Sequence, residues 1–203
     1  MSDVHHDQLY QFAEEQGGYF TTQQAVEAGM DRSTLRYHAR PGGRFERSRR
    51  GLYRLRHFPT SHTEHIVAAW LPLRRAGAVV SHVSALELYE LSDVIPDVVH
   101  VSVPRSKRGQ RPRDGVRLHT ITETLEPDQV RIVSGVCVTS PERALVESLE
   151  DGAQPDQIEM GIREALDRGL TTPRRLRDAA ASRCSRTRRL IEETTRASGQ
   201  VGA

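Results

Sequence analysis

Residues 18–56 read GYFTTQQAVEAGMDRSTLRYHARPGGRFERSRRGLYRLR, and the order of caps, turns and apolar positions in this stretch decides the fold of the N-terminal part. Thr21 or Thr22 caps a helix that runs to about Ala28, with Ala25, Val26 and Ala28 as its apolar side. Gly29 supplies a tight turn, because glycine accepts a positive φ at little cost. Asp31 caps a further helix from Arg32 to about Ala39, whose Leu35 closes a seam against Ala25 and Val26. Pro41-Gly42-Gly43 breaks the chain. Phe45 to Arg47 and Gly51 to Leu55 then read as two short strands around Ser48-Arg49-Arg50, a hairpin or wing. Upstream, Leu9, Phe12 and Ala13 recur at helical spacing within residues 4–16, and Gly17-Gly18 ends that helix. Helix, turn, helix and hairpin in this order predict a winged helix-turn-helix over residues 1–57.

The charge follows the same outline. Net charge is only +2, yet no Lys or Arg occurs before residue 32, and the stretch from Arg32 to Arg56 holds nine arginines against one acid, Glu46. Clustered cations of this kind suit a surface that meets phosphates; a solvated arginine-rich face is the plain alternative. Arg32, Arg36 and Arg40 stand four apart, as do Ser33 and Tyr37, so these five form a stripe beside the seam. Arginine can donate two bonds to a guanine edge, and Ser and Tyr can reach phosphates or bases. Arg36 is the expected base contact, while Tyr37 is read either as a contact or as a surface packing residue. Arg44, Arg47, Arg49 and Arg50 on the wing are expected to meet phosphates or a minor groove. The segment Gly51 to Leu55 alternates, so Leu52 and Tyr53 are expected on opposite faces, with Tyr53 a core residue of the wing.

The remaining residues, 58–203, read as one larger mixed α+β domain, so the fold class is α+β with two domains. A helix from His62 to Arg75 turns Ile66, Val67, Ala69, Trp70 and Leu73 inward. A short extended piece at Ala78–Ser81 and a helix at Ser84–Leu91 follow. Strands are expected at Val98–Val103 and Val116–Ile121, the first alternating Val98, His100, Ser102 against Val99, Val101, Val103. A hairpin turns at Ser134-Gly135. Ser140 caps a helix with Pro141 in its first turn, and three helices near 156–168, 173–181 and 185–196 end the chain. The loop from Arg105 to Arg117 is also basic. Arg105, Lys107, Arg108, Arg111 and Arg113 make it either a second phosphate-binding surface, for nucleic acid or an acidic partner, or a flexible solvated loop.

No catalytic site, metal site or cofactor is expected. Neither glycine-rich phosphate-loop pattern is present. His62 and His65 are three apart and miss the His-Glu-x-x-His zinc spacing, which leaves them a capping or surface role. His82 lies beside Ser81, but neighbours in sequence rarely face each other and no nucleophile elbow surrounds them. A nuclease reading of Asp97 fails because Lys107, the single lysine, has Arg105 rather than a carboxylate two residues before it. Cys137 and Cys184 are far apart, so reduced thiols and a cytoplasmic setting are expected, with Cys137 buried in a valine-rich run. No stretch approaches the roughly 20 apolar residues of a membrane span, and the first eight residues do not form a signal peptide.

Gly18 to Thr22, Ala25, Gly29, Leu35 and Gly51 to Leu55 together resemble the N-terminal winged helix of AbiEi-type antitoxins. Ser81-His82-Val83-Ser84-Ala85-Leu86 and Val138 to Val146 are similar to segments of that family's C-terminal domain. The resemblance implies a bacterial antitoxin that binds inverted repeats in its own promoter as double-stranded DNA and represses it. It also implies a C-terminal domain that counteracts a nucleotidyltransferase-like toxin, directly or indirectly. A homodimer on paired half-sites would fit such an operator. Two alternatives stay open: a protein-interaction module without sequence-specific DNA recognition, and a metal-dependent nuclease.

Overall fold

The computed structural model describes residues 3–91, 93, 96–109 and 114–201. The chain divides into two compact units, Met1–Gly77 with Ser134–Val136, and Ala78–Val133 with Cys137–Ala203. The first unit therefore extends to Gly77 instead of ending at residue 57. The apolar helix that follows the wing packs with the N-terminal elements.

In the first unit the order is α1 (Asp3–Glu14), β1 (Tyr19–Thr21), α2 (Thr22–Glu27), α3 (Arg32–His38), β2 (Phe45–Arg49), β3 (Leu52–Leu55) and α4 (Glu64–Trp70). The Tyr19-Phe20 pair becomes a strand: β1 joins the wing hairpin in an antiparallel sheet of order β1-β3-β2. Both caps predicted in this unit form. The Thr21 hydroxyl accepts from the Gln24 amide while the Gln24 side chain accepts from the Thr21 amide, a reciprocal capping box. The Asp31 carboxylate accepts from the amides of Ser33 and Thr34. Gly29 sits at φ 85°, the left-handed conformation a two-helix turn of this tightness needs. Leu9, Ala13, Phe20, Ala25, Ala28, Met30, Leu35, Phe45, Tyr53 and Leu55 form the core.

Two expectations about packing change. Val26 is not in the seam: it is 47% exposed, while Ala25, Ala28 and Leu35 are buried. Residues 25 and 28 share a face of so short a helix, and 26 is turned away from it. Both faces of β3 are covered, because Leu52, Tyr53 and Leu55 are all buried. Arg54, on the face opposite Tyr53, pairs with Glu64 at the start of α4 at 3.1 Å and donates to the carbonyls of Phe58 and Pro59. Covering that second face is what draws α4 into this unit. Pro72 then converts α4 into a 3-10 turn over Leu71–Ala76, since proline lacks the amide a helix would use.

A close approach ties the wing to α3. A β-carbon on Gly43 would stand 2.1 Å from the His38 carbonyl oxygen, a backbone atom that cannot swing aside. Gly43→Ala is expected to force α3 and β2 apart and to lower stability by about 1–3 kcal/mol, as overpacking does. An unchanged urea midpoint would show that this approach is not needed.

The second unit contains β4 (Val79–Val80), α5 (His82–Leu88), β5 (Val99–Pro104), β6 (Val116–Ile121), β7 (Val130–Val133), β8 (Val136–Thr139), α6 (Pro141–Glu150), α7 (Pro155–Asp167), α8 (Pro173–Ala180) and α9 (Ser185–Val201). Its sheet has the order β6-β5-β4-β8-β7, with β4 antiparallel to β5 and parallel to β8, and β5 parallel to β6. Helix α6 packs on α5, α7 and α8. Val80, Val101, Val138, Ala85, Leu86, Leu145, Ile158, Ile162, Leu176 and Ile191 are buried in it. In strand β5 His100 and Ser102 are buried, as are Val99, Val101 and Val103. Ser140 precedes α6 without capping it, and its hydroxyl is buried with no hydrogen-bond partner among the described residues. Cys137 is half-buried rather than buried, Cys184 is exposed, and both are free thiols.

Candidate functional site

Helix α3 carries its donors outward. Leu35 anchors it in the core at 1% exposure, and Arg32, Ser33, Arg36 and Tyr37 lie on the exposed part of the helix. Ser33 is less available than its position suggests, because its hydroxyl donates to Asp31 at the helix start. That bond, the Thr34 hydroxyl and both amides hold the Asp31 carboxyl well below the usual carboxylate range, so the cap stays ionised. Tyr37 is 61% exposed and lies on the surface of the helix. Arg40 stands just past the helix, with its guanidinium 5.1 Å from the centre of the Tyr37 ring. Together they form a planar, cationic ledge at the C-terminal end of α3.

The wing presents Arg44, Arg47, Arg49 and Arg50, all exposed. The strands pair Arg47 with Tyr53 and Arg49 with Leu52, so one residue is bulged between them. The bulge turns the end of β2 and sets Arg49 and Arg50 at the tip. Tyr53 is in the core, stacked 5.7 Å from Phe20. Glu46, the one acid of this stretch, pairs with Arg56 at 3.3 Å, and Arg56 also donates to the Gly43 carbonyl at 2.5 Å. Among the described residues Arg32, Arg36, Arg44, Arg47 and Arg50 make no ion pair.

The second basic region is less defined. Arg105 and Lys107 lie in a 3-10 turn after β5 with Arg108 beside them, all exposed, and Arg111 and Arg113 lie outside the described residues. Arg117 is bound to Asp151 at 2.9 Å, and Arg189 on α9 faces Glu193 at 3.7 Å. Near the wing, the His65 ring nitrogen meets the His62 carbonyl at 3.0 Å, a local contact at the start of α4.

Within the second unit a cluster of histidines forms that sequence spacing conceals. His82 comes from α5, His100 from β5 and His119 from β6. The His82 and His119 rings stack 3.7 Å apart, and a nitrogen of His119 meets one of His100 at 3.0 Å. Ser81 and His82 do face each other, at 2.9 Å, contrary to the expectation for sequence neighbours. His82 has φ 54°, the left-handed region that side chains other than glycine rarely adopt, and this turns its ring back. Burial, and then repulsion from the neighbouring histidines, pushes His82 down to about 3. Burial and His119 push His100 down to about 4, and burial lowers His119 also. All three rings are neutral at physiological pH. His82 and His119 border a cavity of about 650 Å³ that Glu142, Arg143, Glu147 and Asp151 also line.

Two short helices around a glycine turn, with a basic hairpin after them, define a winged helix-turn-helix, and the whole chain is an α+β protein. Residues 7–56 match the family model described as "Transcriptional regulator, AbiEi antitoxin". Over these residues the AbiEi-type resemblance of the sequence holds. The fold is similar to that of the RV2827C protein from Mycobacterium tuberculosis. That crystal structure superposes with a TM-score of 0.58 at 15% identity, over 94% of this chain and 75% of that one. No curated protein matches the chain significantly. Among the described residues no helix is long and apolar enough to cross a membrane.

Proposed function

We propose that this protein is an antitoxin of a bacterial toxin–antitoxin system that binds inverted repeats in its own promoter and represses transcription. One observation carries the reading. Helix α3 is fixed from below by Leu35 and capped by Asp31, and it presents Arg36, without an acid partner among the described residues, beside a wing of exposed arginines. Such a helix enters a major groove, its arginines read base edges, and the wing neutralises phosphates. Repression is steric: an occupied promoter excludes polymerase. The protein acts in the cytoplasm as a regulator rather than an enzyme, as a homodimer on paired half-sites. The second unit counteracts a nucleotidyltransferase-like toxin, directly or indirectly.

The test is fluorescence anisotropy on the protein's own upstream DNA against a scrambled duplex at two salt concentrations. The expected result is tighter binding to the promoter, with log K falling against log salt by about 0.9 per phosphate neutralised. Equal affinity for both duplexes at both salts would remove autorepression. Co-purification with the product of a neighbouring gene in that case would leave the second unit as the functional part.

A further inference from the structure

The geometry points to a transition-metal site in the second unit: we propose that His82, His100 and His119, with the Glu147 carboxylate beside them, bind one divalent ion of the zinc class. One ring nitrogen from each histidine lies within 4.8 Å of those of the other two. A tetrahedral zinc with nitrogens at about 2.0–2.1 Å holds them roughly 3.3 Å apart. His100 Nδ1 and His119 Nε2 already converge at 3.0 Å, nearly that edge. The proton they share marks a place where a cation of higher charge can sit. Three elements deliver the donors. Parallel pairing sets Ser102 beside His119, and His100, two residues before Ser102, is therefore on the same face of the sheet. Helix α5 starts over that face, its Ser84 hydroxyl accepting from the His100 amide at 3.0 Å and its Ser81 accepting from the Ser102 hydroxyl at 2.7 Å.

The surroundings have the features of a metal shell. Ser81 stands at Nδ1 of His82 at 2.9 Å, and an acceptor in that position fixes the tautomer of a ligating imidazole, while Glu147 Oε2 lies beyond hydrogen-bond reach of the same nitrogen, at 3.9 Å. Asp151, held by Arg117, stands 3.7 Å from Nδ1 of His100. Glu147 gives one oxygen to Arg143 at 2.7 Å. Its other oxygen, Oε2, is buried with no hydrogen-bond partner among the described residues. An unpartnered buried carboxylate oxygen is costly, and a cation among the imidazoles would satisfy it. Neutral imidazoles with a carboxylate suit zinc, cobalt or nickel over magnesium or calcium. His82 and His119 line the cavity, which gives the ion a path in. Once bound, the ion clasps α5 to β5 and β6.

The experiment uses the full chain, stripped with a chelator and titrated with Zn²⁺ in competition with a chromophoric chelator, and with Co²⁺ for its visible spectrum. The expected result is one equivalent bound, a tetrahedral cobalt spectrum, and a melting temperature raised by roughly 5–10 °C at about a hundredfold excess over Kd. His119→Ala is expected to weaken binding by about a hundredfold or more, and Glu147→Gln, which keeps the shape of the side chain, by roughly tenfold or more. Histidines also occur at positions 5, 6, 38, 57, 62 and 65, so the variants identify the site. Less than one equivalent bound by the parent chain would overturn the proposal. So would unchanged affinity in either variant while its circular dichroism matches the parent.

Discussion

Phe20→Ala is expected to cost the first unit about 3–5 kcal/mol, because a buried phenylalanine removes both its transfer energy and the packing around it. Phe20 is fully buried. Its ring meets Phe45 of β2 edge-on at 4.9 Å and stacks on Tyr53 of β3 at 5.7 Å. Each such pair adds about 0.5–1.5 kcal/mol beyond the area it buries. One side chain thus joins β1, and with it the start of α2, to both strands of the wing. Domains of this size are stable by only about 5–15 kcal/mol, so the loss is a large share of the total. Trp70, the single tryptophan, lies in this unit, and its fluorescence reports on it directly. With a urea dependence of about 2 kcal/mol per molar, the midpoint should fall by about 2 M, and binding to every DNA should weaken together. A midpoint within a few tenths molar of the parent would mean that the aromatic triad does not hold the wing.

Arg36→Ala is expected to act differently: the fold stays and the discrimination goes. Arg36 is exposed, makes no ion pair among the described residues, and sits one residue from Leu35, the helix's anchor. A bidentate contact to a guanine is worth about 1–3 kcal/mol of discrimination. The ratio of promoter to scrambled affinity should therefore fall by roughly 5- to 150-fold, with the urea midpoint unchanged. Arg49→Ala at the wing tip supplies the contrast. It should weaken both duplexes alike and reduce the salt slope by about 1, as a phosphate contact does. Equal losses on both duplexes for both variants would sink the division of labour between helix and wing.

The two variants separate features of different origin. The winged helix was legible because its signals are local. Thr21 with Gln24, Asp31 with Ser33, and Gly29 act over three residues or fewer, and Leu35 declares its face within one helical turn. The arginine stripe follows from the same period. Local signals were weaker where the helix was short. Val26 was placed in the seam, and a six-residue helix offers too few apolar positions to set the phase of its buried face. The period also puts Ser33 in the stripe, and only the structure shows its hydroxyl donating to the aspartate that caps its own helix.

The sequence by itself determined the N-terminal helices, their caps, the wing, the positions of the exposed arginines and the general run of strands and helices after residue 78. These depend on neighbours a few residues apart, where propensity and periodicity act. Only the tertiary structure decided that the first unit runs to Gly77, because the partner of Arg54 is Glu64 and nothing in the alternation of β3 says that its second face is covered. Only the tertiary structure brought His82, His100 and His119 together. Alternation placed His100 and Ser102 on one face, but His119 joins them through the register of β5 with β6, and His82 through the docking of α5 and its left-handed backbone. Register and docking are set by the sum of many distant contacts, and no short stretch of sequence carries that sum.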